Sequence, residues 1–411
     1  MDRVLFLSQV LPYPLDAGPK VRAYYMLRYL AERRRVTLVS FVRADDRPEF
    51  VQHLAQLCHE VHTVPIVRSL ARNVQAGLRG LVTGLPMVIA RDDTTEMGAL
   101  LRRLVQDNTF DVIHADQLSM AWYGLLAADA ASQRPTTLLD EHNAIYKLTE
   151  RMAGEAGGWR RLLIQREAGA FRRYEADMLR RFDALLTVTE EDRQLLLDLF
   201  DEPERSLQAA KLTTIPICVD PTQVAPVTQS PSHPVTLSSP TILHLGTMFW
   251  PPNVAGVLWF AREVLPLIWQ QAPQARFVVV GKNPPAEVQA LAADPRIEVT
   301  GYVADPLPYL QAADAFVVPL HSGGGMRVKI LDAWLQGLPI VSTPIGAEGI
   351  RLRDGENILL AGDAPGFAAA TLQLLADPEL NQRLRVAGRR WVEQTYAWQV
   401  VYRALDRVYG A

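Results

Sequence analysis

One stretch, residues 315–350, restricts the fold more than any other. An apolar run, 315–320, stops at three glycines, Gly323, Gly324 and Gly325. A helical pattern follows at once, with Val328, Leu331 and Leu335 recurring at the spacing of one buried face. Lys329, Asp332 and Gln336 form a polar stripe on the same helix. Gly337 stops it, Pro339 sets the turn, and 340–342 reads as the next buried strand. Strand, glycine loop, helix and strand in that order build a doubly wound α/β sheet. Glycines let backbone amides approach an anion closely, and a helix start favours negative charge. Arg327 and Lys329 fall in the first turn, where cations are unfavourable unless an anion lies near. The stretch reads as a phosphate seat.

The same rhythm runs through the chain. Buried strands are expected at 3–7, 36–41, 59–64, 112–114, 137–140 and 184–189, then at 241–245, 276–281, 297–299 and 315–319. A helix is expected at 21–34, with Tyr25, Leu27, Leu30 and Ala31 on one side. Residues 221–240 are rich in Pro, Ser, Thr and Gln without periodicity, which predicts a linker. The expected division is a domain at 1–220, the linker, a domain at 241–390 and a helical tail at 391–411. That tail carries Trp391, Tyr396, Trp398, Tyr402 and Tyr409. A chain of 411 residues suits two domains of about 200 residues each.

Net charge of −3 gives no bias towards nucleic acid. Two distant cysteines, Cys58 and Cys218, indicate a reducing compartment. No signal peptide is evident, and no run approaches the ~20 apolar residues of a spanning helix. A cytoplasmic location is expected. A peripheral contact with the inner face of an anionic membrane is a second expectation, from the helical region 151–181. There Arg160, Arg161, Arg166, Arg172, Arg173, Arg180 and Arg181 alternate with Trp159, Leu162, Leu163, Phe171, Tyr174 and Leu179. A solvated helix whose arginines pair with Glu167, Glu175 and Asp177 explains the same pattern.

Two strand tips are polar. His114 and Asp116 end one, as ligand contacts or as a plain turn. Asp140, Glu141, His142 and Asn143 end the other, with more polar residues than a turn requires. Capping of the next helix by Asp140 or Asn143 is the alternative. His53, His59 and His62 lack the partners of a zinc site. The loop before the first helix holds Pro12, Pro14, Gly18 and Pro19, and Gly18 reads equally as a ligand loop or a tight turn.

Residues 318–350 resemble the donor-binding signature of GT-B glycosyltransferases, most closely glycosyltransferase family 4. Residues 11–41 resemble the opening of family 4 members, and 213–220 the end of their N-terminal domain. The resemblance implies an α/β GT-B fold: two Rossmann-like doubly wound domains facing a cleft, with a C-terminal crossover helix. It implies a hexosyl- or related glycosyltransferase that moves a sugar, with retention, from a nucleoside diphosphate donor to a glycan, lipid-linked or small-molecule acceptor. The nucleotide-sugar is a substrate, and no cofactor is implied. His142, Arg327 and Lys329 take the catalytic positions. Gly18, Gly246, Tyr302, Val303, Gly323, Gly324, Gly325, Met326, Asp332 and Glu348 take the donor-binding ones. The chain departs from the family at Gly324 and Asp332, which stand where two glutamates eight positions apart are usual. Ile217 and Cys218 replace a polar pair, and 250–253 lacks the family's Arg and Lys.

No Asp-x-Asp occurs, so no metal is expected. A dinucleotide-dependent oxidoreductase is disfavoured, since 10–18 lacks Gly-x-Gly-x-x-Gly and 36–41 has no acidic end. A GT-B sugar-nucleotide epimerase and a non-catalytic GT-B scaffold stay open beside the transferase.

Overall fold

The structure is a computed structural model that describes residues 2–224 and 239–410. It divides into two units, Met1–Cys218 with Tyr402–Ala411, and Val219–Val401.

The first unit is built on a parallel sheet of β1 (Arg3–Ser8), β2 (Arg35–Val42), β3 (Glu60–Pro65), β4 (Val112–Asp116), β5 (Thr136–Glu141), β6 (Ala184–Thr187) and β7 (Leu212–Thr214). Their order is β3-β2-β1-β4-β5-β6-β7. Val4, Leu5, Phe6 and Leu7 are all fully buried, as a parallel strand covered by helices on both faces requires. The order turns back between β1 and β4, where Ser8 and Asp116 are register partners. A ligand crevice forms at such a switch point, outside the carboxyl ends of the strands.

The second unit repeats the plan with β8 (Thr241–Leu245), β9 (Arg276–Val280), β10 (Ile297–Gly301), β11 (Ala315–Val318), β12 (Ile340–Ser342) and β13 (Leu359–Leu360). The order is β10-β9-β8-β11-β12-β13, all parallel, so the switch point lies between β8 and β11. Gly246 follows the first of these strands and the triple glycine follows the second.

Several expectations are corrected. The helix after the glycine loop, Val328–Leu335, buries Ile330, Leu331, Ala333, Trp334 and Leu335, a wider face than the 328/331/335 stripe. Its packing is close: a Cβ on Gly388 would stand 2.3 Å from Trp334 Cδ1. The expected linker falls largely on residues 225–238, which lie outside the described residues. Its first residues belong to the second unit, where Arg389 Nη2 donates to the carbonyls of Pro221 and Val224 at 3.2 and 3.3 Å.

The tail is two helices, Pro378–Tyr396 and Trp398–Tyr409, parted at Ala397. Trp391 stays in the second unit, its Nε1 donating to Arg351 O at 2.6 Å. The chain enters the first unit at Tyr402 rather than at 391. There Tyr402 Oη donates to Tyr25 O, and Tyr29 Oη to Asp406 Oδ1, both at 2.9 Å. The basic region 151–181 also spans two helices, Ile145–Glu155 and Gly158–Arg181. Among the described residues of this region, Arg166 pairs with Glu167 at 2.6 Å, Arg180 with Glu204 at 2.6 Å and Arg181 with Asp177 at 3.7 Å.

Candidate functional site

At the switch point of the second unit, small residues leave room for a cation. A Cβ on Gly246 would stand 2.6 Å from Lys329 Nζ and 2.9 Å from Asn253 Nδ2, so the ammonium and its amide partner occupy space that a side chain there would take. Lys329 Nζ donates to Asn253 Oδ1 at 3.0 Å. Burial, reinforced by the neighbouring Arg327 guanidinium, lowers the Lys329 ammonium to about 7. Part of the residue stays open, so water still reaches it. Beneath it His244 is buried in β8 and donates through Nδ1 to Val317 O at 2.9 Å. Burial and Lys329 hold that imidazole well below its ordinary pKa, hence neutral.

The glycine loop takes backbone angles that side chains resist, with φ of 113° at Gly323 and 75° at Gly325. Arg327 Nη1 turns back onto this loop, donating to the carbonyls of Gly324 and Gly325. In that pose the guanidinium braces the loop. Met326 is buried in it. The Val328–Leu335 helix starts without a side-chain cap, whereas Pro251 and Pro252 remove the first amide donors of the facing Pro251–Trp259 helix.

Asp332 is exposed on the Val328–Leu335 helix. Among the described residues it forms no ion pair with Lys329, so pairing along the helix does not account for the lysine. Tyr302 is 71% exposed and Val303 half-buried, directly after β10. Glu348 lies after β12, in a turn closed by Gly346 N donating to Thr343 Oγ1 at 2.8 Å.

The switch point of the first unit is filled instead by protein groups. His142 Nε2 lies 2.9 Å from Asp116 Oδ1, and Ser8 Oγ donates to Asp116 Oδ2 at 3.1 Å. A carboxylate only accepts, so Nε2 carries the proton and Nδ1 is left as the acceptor of the neutral ring. Arg22 holds Asp140 by two bonds of 3.0 Å and donates also to Ile215 O and Pro216 O. Burial alone would raise Asp140, but Arg22 outweighs it and the carboxyl is lowered. His114 is fully buried, stacked on Phe6 at 4.4 Å and bonded through Nδ1 to Tyr409 Oη at 2.5 Å, so it does not reach a ligand. Gly18 opens the Gly18–Ala31 helix without a left-handed φ.

His114, Asp116 and Asp140 lie close enough for a metal ion. Asp116 and Asp140 are already engaged, His114 Nε2 is buried without a hydrogen-bond partner, and an ion would have to compete with Arg22 for Asp140. The loop carrying His142 is pinned from behind, where Glu175 accepts from Ile145 N at 2.6 Å and Tyr146 N at 2.9 Å. Asp192 likewise accepts from Ala144 N at 3.0 Å. Burial raises Glu175 to about 8 and Glu141 well above its ordinary range.

Within the second unit the structure thus brings together Gly246, Gly323, Gly324, Gly325, Arg327 and Lys329, and sets Tyr302, Asp332 and Glu348 on the same carboxyl side of the sheet. Sequence reasoning missed Arg22, Asn253, His244 and Glu175. Arg22 and Glu175 had a signal, a charge on an otherwise apolar helix face. His244 interrupts the apolar run of β8.

The description "Glycosyl transferases group 1" matches residues 239–377, and "Glycosyl transferase 4-like domain" matches 17–218. An uncharacterized 44.6 kDa protein in the cps region of Klebsiella pneumoniae is 20% identical over 377 residues, covering 90% of this chain and 89% of its own. The lipopolysaccharide core biosynthesis glycosyltransferase LpsE of Rhizobium meliloti is 40% identical over 100 residues, 24% of this chain and 29% of that one. The crystal structure of Anabaena HepE in complex with UDP and glucose superposes with a TM-score of 0.66 at 15% identity, covering all of both chains, and shares the GT-B fold. Matched in both units, this chain belongs to the group 1 glycosyltransferases of the family 4-like type.

Proposed function

We propose that the chain transfers a sugar, a hexose or a relative of one, from a nucleoside diphosphate donor with retention and without a metal ion. The observation that carries this reading is the Lys329 ammonium over Gly246 beside the glycine loop, at the switch point of the second sheet. Departure of a nucleoside diphosphate leaves negative charge on its outer phosphate, and preorganised cations and amides stabilise that charge. Lys329 meets it directly. Arg327 adds charge while holding the loop through the Gly324 and Gly325 carbonyls. Gly246 and Gly323–Gly325 give the phosphates room, Asp332 accepts from a ribose hydroxyl, and Tyr302 and Val303 flank the base. Glu348, Met326 and Gly18 complete the donor-side set in supporting positions. His142, fixed by Asp116, positions or protonically assists the sugar.

The UDP and glucose held by HepE support a nucleotide-sugar donor. LpsE, named for lipopolysaccharide core synthesis, supports a glycan or lipid-linked acceptor. Contact with an anionic membrane through residues 151–181 belongs to the same reading, because lipid-linked acceptors lie at such a surface. The test is incubation with a panel of nucleotide-sugars in chelator, followed by product analysis with and without acceptor. Free epimerised sugar-nucleotide in the absence of acceptor would identify an epimerase instead, and no turnover of any donor would leave a scaffold.

A further inference from the structure

The Leu70–Thr83 helix of the first unit is mounted the wrong way round for a water-exposed helix. Only Ala76 and Gly80 are buried. Its large apolar residues face outward, with Leu70 80%, Val74 56%, Leu78 61% and Leu81 61% exposed. Those positions, separated by four, four and three residues, form one line along the helix. A second line begins the Gly158–Arg181 helix, where Trp159, Leu162 and Leu163 are exposed. Arg166, one turn further on that side, donates through Nη2 to Gly80 O, so the two helices meet near the carboxyl end of the first. A soluble protein seldom exposes so continuous an apolar surface without a partner.

The two apolar stretches themselves carry only basic charge. No carboxylate occurs between Arg68 and Thr83 or between Gly157 and Arg166. Arg68, Arg72 and Arg79 flank the first line, and Arg160 and Arg161 are exposed within the second. Arg68 and Arg79 are partly answered by Asp92 at 3.6 Å and Asp93 at 2.6 Å, whereas Arg160 and Arg161 form no ion pair among the described residues. An apolar helix face with tryptophan and a basic border is the chemistry of a bilayer interface.

We propose that this two-helix surface docks on an anionic lipid bilayer, with Leu70, Val74, Leu78 and Trp159 entering the interface and Arg160 and Arg161 meeting headgroup phosphates. The proposal rests on the reading of a membrane contact in 151–181 and moves its apolar anchor to the Leu70–Thr83 helix, which that reading does not include.

Co-sedimentation with vesicles of equimolar phosphatidylglycerol and phosphatidylcholine tests it. The full chain is expected to bind these vesicles and to release them at high salt. Val74→Glu with Leu78→Glu is expected to lower binding by about tenfold or more. Arg160→Glu with Arg161→Glu is expected to lower it by about tenfold. Both variants replace exposed side chains, so melting temperature and nucleoside diphosphate binding should match the parent. Loss of binding in the arginine variant alone would keep a contact at 151–181 and overturn the two-helix surface. Absence of vesicle binding by the parent would overturn both. Self-association of the parent, broken by Val74→Glu with Leu78→Glu while vesicles go unbound, would show a second copy as the occupant.

Discussion

The two sheets share one strand order around their switch points, yet they use that position in opposite ways. In the first unit, Ser8, Asp116, His142, Asp140 and Arg22 satisfy one another, leaving little beyond one imidazole nitrogen to offer a ligand. In the second, glycines stand where side chains would fill the space, and a lysine is held there by a single neutral amide. A buried charge that loses its partner destabilises a fold, whereas a cation kept at a cost to its own ionisation suits an incoming anion. On the proposed reading, the same topology supplies a rigid floor in one unit and a seat for an anion in the other.

The largest expected effect breaks the first half of this contrast. Arg22→Ala leaves Asp140 buried without its partner, which should cost about 3–5 kcal/mol in urea unfolding of the first unit. Nucleoside diphosphate affinity of the remaining folded protein should be unchanged. Next in size, His142→Ala should lower turnover by about 100-fold with donor binding retained, read from initial rates and from calorimetry. Asp116→Asn should lower turnover less and alter its pH profile, because an amide no longer fixes the ring tautomer.

Glu175 sharpens the structural side through pH. Its folded pKa of about 8 lies above its ordinary 4.5, so the folded state binds more protons between these values. Stability of the first unit should fall as pH rises through that window, read from urea unfolding at several pH values, and Glu175→Gln should flatten the slope. Lys329 gives the smallest and most specific pH effect. With its ammonium at about 7, affinity for a nucleoside diphosphate should weaken above that pH by up to about tenfold per unit. Lys329→Arg should remove this dependence, since a guanidinium stays charged.

Much of this arrangement was legible in the chain. Central strands such as β1, β9 and β11 are nearly continuous apolar runs, because strands buried on two faces need them, and so the doubly wound architecture could be read directly. The glycine loop was equally plain, since three glycines between a strand and a helix have few other uses. Short strands such as β7 and β13 were not legible, having too few residues to show a period. Nor was the Lys329 partner. Asp332 stands three residues away in sequence, yet the observed partner, Asn253, lies in the first turn of a helix 76 residues away. The break at Ala397 was hidden because aromatic residues continue across it, and only the switch of packing partners from Arg351 to Tyr25 reveals where the chain changes unit.

The central claim, that the second switch point seats a diphosphate through Lys329, is tested most directly by calorimetric titration of Lys329→Ala in chelator. The ligands are the best-bound nucleoside diphosphate and its parent nucleoside. The account predicts that diphosphate affinity falls by roughly 10- to 100-fold, the worth of a charge-assisted contact, while nucleoside affinity is unchanged. Equal losses for the two ligands would contradict it.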